Sequence, residues 1–201
     1  MADAQTRASL LCLVFTDLVD STALKRRLGD AAVSELMAAY HHDVLALAAQ
    51  CGGREIDSAG DGFFLAFEAP SAAVAFALRL QRLHQENEAL PAVRVGLHVG
   101  EVTERPAPPG SSKPTLIEGL AVDLAARIGG LAGGGQVLMS QPVFDAARQR
   151  LDKRDLGHIA WRAHGPYLFK GIDEPVEIGE AGIEGRSPLA PPPDSEKARS
   201  A

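Results

Sequence analysis

Residues 10–22 read LLCLVFTDLVDST and join an apolar run to an acidic end. The run over residues 10–15 is continuous, which is typical of a strand buried in the middle of a sheet. The run stops at Thr16, so Asp17 is expected at the end of that strand. The stretch therefore predicts a central β-strand with a carboxylate at its edge.

A second acidic strand end is predicted in residues 54–67, REIDSAGDGFFLAF. The Asp-Gly step at Asp61 is a strong hairpin signal between two short strands. If this hairpin pairs with the first strand, both carboxylates meet at one sheet edge. Paired carboxylate oxygens are what Mg²⁺ or Mn²⁺ needs when a phosphate supplies the other ligands. The alternative is that Asp61 is only a turn residue and that Asp17 or Asp20 caps a helix.

Periodic apolar residues place helices between the predicted strands. Apolar side chains three and four residues apart predict one helix from Asp30 to Gly52 and another from Pro70. The order strand–helix–strand–strand–helix–strand is that of a ferredoxin-like α+β core, βαββαβ, with extra C-terminal strands. The later pattern predicts a strand over 93–99, a Pro-rich loop over 104–115, a helix from about residue 118, a strand over 136–139, a helix from Ser140, and strands over 167–169 and 176–181.

The domain limits follow from length and composition. A chain of 201 residues favours one domain with a tail. We predict a flexible N-terminus over residues 1–9 and the folded domain over residues 10–182. A disordered tail or linker is predicted over residues 183–201, because Pro, Ser and charged residues replace the apolar pattern there.

Charge and targeting signals exclude some classes of protein. The net charge is −6, which argues against a protein that binds a nucleic acid backbone. No apolar run reaches the ~18 residues of a membrane-spanning helix, and the polar start of the chain is unlike a secretory signal. Cys12 and Cys51 lie in apolar stretches, as reduced core cysteines do. A cytoplasmic protein without a membrane segment in this chain is expected.

Six segments resemble the catalytic domain of class III nucleotidyl cyclases, the adenylate and guanylate cyclases. They span residues 10–181 in the family's order and spacing, and such an ordered set is far more specific than one glycine-rich fragment. The segments are FTDLVDST (15–22), SAGDGFFLAF (58–67), VRVGLHVGEV (93–102), GLAVDLAARI (119–128), GGQVLMS (134–140) and FKGIDEPVEIGE (169–180).

The resemblance implies a reaction and an assembly. Two divalent cations, Mg²⁺ or Mn²⁺, bind a nucleoside triphosphate, the ribose 3′-hydroxyl attacks the α-phosphate, and pyrophosphate leaves. The chain is expected to be a homodimer with two equivalent sites, each combining metal ligands from one protomer with an arginine from the other. The implied site residues are Asp17 and Asp61 for the metals, Leu18, Val19, Asp20 and Ser21 around the phosphates, Arg127 at the transition state and Lys170 at the terminal phosphates.

Three positions depart from the family pattern. Asp123 stands where the family usually carries Asn, four residues before Arg127, and an ionised carboxylate cannot donate a hydrogen bond to the substrate. The i,i+4 spacing also allows Asp123 to form an ion pair with Arg127. Asp57 stands where adenine-selecting members carry Lys, and Leu116 where they carry Asp or Thr. Neither adenine-reading side chain is therefore present.

The carboxylate of Asp57 determines which nucleotide base the site is expected to prefer. Because a carboxylate only accepts hydrogen bonds, it suits the adjacent N1–H and 2-amino donors of guanine, then cytosine, and adenine least. The alternative is that Asp57 faces solvent or pairs with Arg54 or Lys170.

Two functions are compatible with these residues. The first is a metal-dependent nucleotidyl cyclase that makes a 3′,5′-cyclic nucleotide for signalling, with reduced or unusual activity. The second is a catalytically inactive, cyclase-like homodimer that binds a nucleotide or a protein partner and regulates through its dimer geometry. A plain dimerisation domain is a third possibility, but it gives Asp17 and Asp61 no role.

Overall fold

A computed structural model describes residues 6–111, 113, 115–151 and 156–201, without the side chains of residues 25 and 27. Its first half is built on strand β1 (Arg7–Leu18), which is longer than the predicted strand because it extends in both directions. The strand pairs antiparallel with β3 (Gly62–Phe67) on one side and β4 (Val93–Pro106) on the other. Strand β2 (Gly53–Ala59) pairs with β3 to form the predicted hairpin.

The two long helices complete the predicted core. Helix α2 (Asp30–Gln50) joins β1 to β2, and helix α3 (Pro70–Glu86) joins β3 to β4. The order along the chain is therefore βαββαβ, and the strands lie in the order β2-β3-β1-β4. Side chains of α2 and α3, such as Tyr40 and Phe76, pack in one cluster with the sheet. The predicted ferredoxin-like α+β core is confirmed.

The second half of the chain extends this sheet beyond β4. The full path is β2-β3-β1-β4-β6-β8-β7-β9, with β5 paired to β4 off this path. The added elements are β5 (Thr115–Glu118), α4 (Leu120–Leu131), β6 (Val137–Ser140), α5 (Gln141–Arg150), β7 (Ile159–Phe169), β8 (Val176–Ile183) and β9 (Ala198–Ser200).

Helix α4 lies very close to strands β1 and β4. A methyl group added at Gly96 of β4 would overlap the backbone of Gly129 in α4, so only glycine fits at this contact. Gly129 also lies beside Phe15 of β1. This close approach places one side of α4 next to the carboxyl end of β1, where the candidate site lies.

The N-terminal part of the structure differs from the sequence prediction in three places. Residues 7–9 of the predicted flexible N-terminus belong to β1 and pair with β4, whereas residues 1–5 lie outside the described residues. The short helix α1 (Ser21–Leu28) follows β1 and was not predicted. Asp30 begins α2 as its first helical residue, and the cap position is Gly29, which has no side chain to accept a bond.

The prediction of a disordered tail over residues 183–201 is wrong. The segment folds back on the sheet, and its last residues form β9 on the edge strand β7. Two buried side chains bind it: Tyr167 Oη donates to the Pro192 carbonyl at 2.9 Å, and Glu180 Oε1 accepts the Leu189 N–H at 3.1 Å. The tail is ordered because an edge strand and buried polar groups of the domain need hydrogen-bond partners.

No helix in the described part of the chain has the length and apolar character needed to cross a membrane.

Candidate functional site

The predicted carboxylates come together where β1 and β3 meet. The two strands pair with Thr16 opposite Phe63, so Asp17 and Asp61 lie at the same edge of the sheet. Tyr40 of α2 lies close enough to both carboxylates to interact with their charges. Burial raises the pKa of the Tyr40 phenol well above its usual range, and the charges of Asp61 and Asp17 raise it further. Its hydroxyl donates to the Asp61 backbone carbonyl at 3.4 Å.

The Asp61 carboxylate has an oxygen without a partner. Oδ2 is buried and makes no hydrogen bond with any residue that the structure describes. An unsatisfied buried acceptor costs about 1–3 kcal/mol, and more when it is charged. A cation bound at this oxygen would remove that cost.

The Asp17 carboxylate is partly engaged. Arg94, its partner across β1 and β4, donates Nε to Oδ2 at 2.9 Å, and Nη2 contacts the same oxygen. The other oxygen, Oδ1, faces Gly62 of the hairpin. Among the residues that the structure describes, no three His, Cys, Asp or Glu side chains are grouped to hold a metal ion. The protein therefore offers two carboxylates, and a bound ligand must supply the other oxygens.

This donor set fits a hard divalent cation. Mg²⁺ binds proteins through one or two carboxylates and takes its other ligands from water and substrate phosphates. The buried Oδ2 of Asp61, which has no partner among the described residues, and Oδ1 of Asp17, which faces Gly62, are oxygens of that kind. The sequence alternatives, a turn residue and a helix cap, leave the burial of Asp61 Oδ2 unexplained.

A cavity of about 310 Å³ opens beside the carboxylates. Phe15 and Phe64 form an apolar wall, with their rings stacked at 4.5 Å between centroids. Charged groups stand around that wall, since Asp17, Asp57 and Arg94 also line the cavity. An apolar wall with a few polar groups at fixed positions is the usual form of a small-molecule site.

Asp57 has a partner that the sequence did not suggest. Its carboxylate forms an ion pair with the ammonium of Lys113, from the segment between β4 and β5, and Oδ1 accepts the Ser58 N–H at 2.8 Å. The expected partners are engaged elsewhere: Arg54 donates to Glu104 at 2.6 Å, and Lys170 lines a different cavity. Nothing in the Pro-rich sequence distinguishes Lys113 as a site residue, because the contact depends on how the segment folds over the hairpin.

Leu116, the other predicted base-reading residue, does not line the cavity that contains Asp57. It lies half-buried on β5, opposite Arg105 of β4, and is absent from the lining of the cavity with the carboxylates. The structure of one protomer therefore places one of the two predicted base-reading positions at the cavity and leaves the other outside it.

The predicted phosphate segment follows Asp17 directly. Leu18 is buried at the end of β1, and the Val19 N–H donates to the Ala92 carbonyl at 2.8 Å, so this donor is already used. Asp20 has a left-handed φ of 59°, which turns the chain into α1 at Ser21. The first N–H groups of a helix have no intrahelical acceptor. The donors left for a phosphate are therefore those around Asp20 and Ser21.

Arg127 and Lys170 meet in a second cavity, of about 670 Å³. Arg127 Nη1 donates to the Lys170 backbone carbonyl, and Asp123 lines the same cavity. Within residues 6–111, 113, 115–151 and 156–201, Arg127 forms no ion pair with Asp123, so the predicted i,i+4 pair is not present. The lysine backbone holds the guanidinium instead.

The two cavities lie on the same side of α4. Ala126 and Gly130 contribute to both, but the first contains Asp17 and the second contains Arg127. A single protomer thus separates the predicted metal ligands from the predicted transition-state arginine.

Fold and site together define an α+β domain whose ferredoxin-like core carries a two-carboxylate site beside an aromatic-walled cavity. The sequence model of the adenylate and guanylate cyclase catalytic domain matches residues 4–171. The chain belongs to this family, the class III nucleotidyl cyclases.

Two individual proteins and one solved structure are similar to this chain. An uncharacterized protein of Mycobacterium tuberculosis is 39% identical over 112 residues, which cover 54% of this chain and 40% of that protein. An adenylate cyclase of Streptomyces coelicolor is 32% identical over 129 residues, covering 64% of this chain and 32% of the relative. The chain thus spans less than half the length of these relatives. A solved adenylate cyclase structure from Trypanosoma brucei superposes with a TM-score of 0.77 at 26% identity, over 94% of both chains.

Proposed function

We propose that this chain is a metal-dependent nucleotidyl cyclase domain, which converts a nucleoside triphosphate to a 3′,5′-cyclic nucleotide and pyrophosphate. One observation carries the proposal beyond family membership. Asp61 keeps a buried carboxylate oxygen that has no hydrogen-bond partner in the described part of the chain, and the neighbouring Asp17 lines the cavity. A metal–triphosphate complex would satisfy that oxygen and fill the cavity.

Asp17 and Asp61 would hold two divalent cations, Mg²⁺ or Mn²⁺, which supply charge neutralisation at the phosphates and make the 3′-hydroxyl more acidic. The free N–H groups around Ser21 donate to phosphate oxygens. Phe15 and Phe64 exclude water from one side of the cavity. The 3′-oxygen gives its proton to solvent water and forms a bond to the α-phosphorus, and the bond from that phosphorus to the bridging oxygen breaks to release pyrophosphate.

Arg127 supports an active homodimer. A guanidinium that donates to the α-phosphate stabilises the charge that develops there. Because Arg127 and Asp17 line different cavities of one protomer, we propose that each site combines Asp17 and Asp61 of one copy with Arg127 and Lys170 of the other. A two-fold axis then creates two identical sites.

The ion pair of Asp57 and Lys113 changes the expected recognition of the base. Asp57, which lines the cavity, is an acceptor, and the ammonium of Lys113 paired with it is a donor. Guanine matches both, since Asp57 accepts from N1–H and the 2-amino group while Lys113 donates to O6. Cytosine and adenine each offer one amino donor and one ring acceptor, so they make one contact fewer. We propose guanine as the preferred base, with adenine and cytosine behind it.

A product assay tests this proposal. The purified protein is incubated with ATP, GTP, CTP and UTP separately in the presence of Mn²⁺, and products are identified by mass spectrometry. We expect a 3′,5′-cyclic nucleotide, formed fastest from GTP, and a smaller lead for GTP in Lys113→Gln. A lead for ATP would remove the Asp57–Lys113 pair from base recognition. No cyclic product from any triphosphate would overturn the cyclase.

A second candidate function rests on Asp123 and Arg94. A carboxylate lies beside Arg127 where a donor is expected, and a guanidinium already occupies one oxygen of Asp17. Both features suit a homodimer that binds a metal–nucleotide complex without turnover. Metal-dependent binding of a triphosphate, with no cyclic product, distinguishes this module from the cyclase.

A further inference from the structure

The C-terminal strap, defined as residues 184–201, reaches the cavity that contains Arg127 and Lys170. Residues 195–198 of the strap form part of the cavity lining. The family match ends at residue 171, so the strap lies outside the part of the chain that defines the family. The strap therefore lies beside two residues of the proposed site, Arg127 and Lys170, and can contribute side chains to it.

The strap is fixed at this point. The Lys170 N–H donates to the Lys197 carbonyl at 2.9 Å, and Ser195 N–H donates to the Ala198 carbonyl at 2.7 Å. Ala198 is only 4% exposed and packs in a cluster with Ile128 and Phe169. The backbone of Lys197 is therefore held next to Lys170 by its own hydrogen bond and by the burial of the following residue, Ala198.

Charge around this cavity is unbalanced. Arg127, Lys170 and Lys197 all line it, and in the described part of the chain none of the three side chains forms an ion pair. Asp123 and Glu196 are the opposing charges at the cavity. Three cations that form no ion pair within the described residues, placed around one space, attract and concentrate an anion.

We propose that Lys197 is a further phosphate-binding residue, which the strap supplies to the terminal phosphates of the triphosphate beside Lys170. This inference rests on the proposed function, because the anion is the substrate's own polyphosphate. Lysine suits such a site as a compact ammonium charge with three donors. The strap thus completes a cluster in which Arg127 is placed for the reacting phosphate and two lysines hold the leaving pyrophosphate.

Arg199 provides a matched control. It lies on β9, two residues after Lys197, and carries the same charge, but the cavity that it lines with Lys170 and Lys197 excludes Arg127. Loss of either residue changes the net charge by one unit. Only loss of Lys197 removes a cation from the proposed site.

The test measures affinity in the full chain. Isothermal calorimetry with Mn²⁺ determines the Kd values of GTP, GMP and pyrophosphate for the wild type, Lys197→Gln, Lys197→Arg and Arg199→Gln. We expect Lys197→Gln to weaken GTP and pyrophosphate about tenfold, as loss of one charged hydrogen bond does, with GMP little changed. Lys197→Arg should retain most of the affinity, and Arg199→Gln should match the wild type within about twofold.

Each outcome decides a separate point. Equal GTP affinity in Lys197→Gln and the wild type overturns the role of Lys197 and leaves the proposed function standing. Equal losses in Lys197→Gln and Arg199→Gln show a general effect of charge, and they also overturn it. A wild type that binds no triphosphate overturns the proposed function together with this inference.

Discussion

Asp61→Asn is expected to remove metal-dependent triphosphate binding and to lower turnover by a factor of at least ~10³. The change keeps the shape of the side chain but removes the charge from the buried oxygen that has no partner in the structure. The folded state should not be weakened, since a buried unpaired charge is lost and no volume changes. Calorimetry with Mn²⁺ and thermal unfolding without metal check the two halves of this prediction.

Asp17→Asn and Asp43→Asn are the comparisons for that experiment. Asp17→Asn should give a similar loss of binding and also weaken the ion pair with Arg94. Asp43 is an exposed carboxylate on α2, the helix that carries Tyr40, and its replacement should change nothing. Unchanged metal-dependent affinity in both Asp17→Asn and Asp61→Asn would show that these residues hold no metal.

Asp123→Asn is expected to raise turnover by a factor of about 10–10³. An amide at this position can donate a hydrogen bond to the substrate, and one oriented donor is typically worth about 10²–10³ in rate. The sequence also allowed Asp123 to form an ion pair with Arg127. In the structure the Lys170 carbonyl holds Arg127 instead, so Asp123→Asn does not release the arginine. The increase should therefore come from the new donor alone.

The measurement is kcat with Mn²⁺ and the preferred triphosphate, with Asp43→Asn as the surface control. Affinity for the triphosphate should change much less than kcat, since the donor acts on the transition state. A fall in kcat after Asp123→Asn would assign an adapted catalytic role to the carboxylate.

The sequence predicted the core of the fold because its signals are local and periodic. The continuous apolar run of β1 and the Asp-Gly hairpin determine which strands are buried and where they end. These same signals place Asp17 and Asp61 at strand ends, and the pairing of β1 with β3 then brings the two carboxylates to one edge. A site whose residues lie at the ends of strands can therefore be predicted from the sequence.

The remaining site residues depend on contacts that have no local signal. Arg94 reaches Asp17 from the neighbouring strand β4, and Lys113 reaches Asp57 from a segment whose Pro-rich sequence predicts only a loop. The strap was predicted to be disordered because it lacks apolar periodicity. Its order comes from partners elsewhere in the chain: the edge of β7, the buried Glu180 carboxylate and the Tyr167 hydroxyl.

A mixing experiment tests the central claim most directly, because it requires both cyclase chemistry and a site shared between two copies. Asp61→Asn and Arg127→Gln are each purified, and cyclic nucleotide formation is measured for each alone and for an equal mixture after subunit exchange. Each variant alone should be inactive. The mixture should recover about a quarter of wild-type activity, because half of the dimers are mixed and each mixed dimer has one intact site. A mixture as inactive as its components, with subunit exchange verified, would contradict the account.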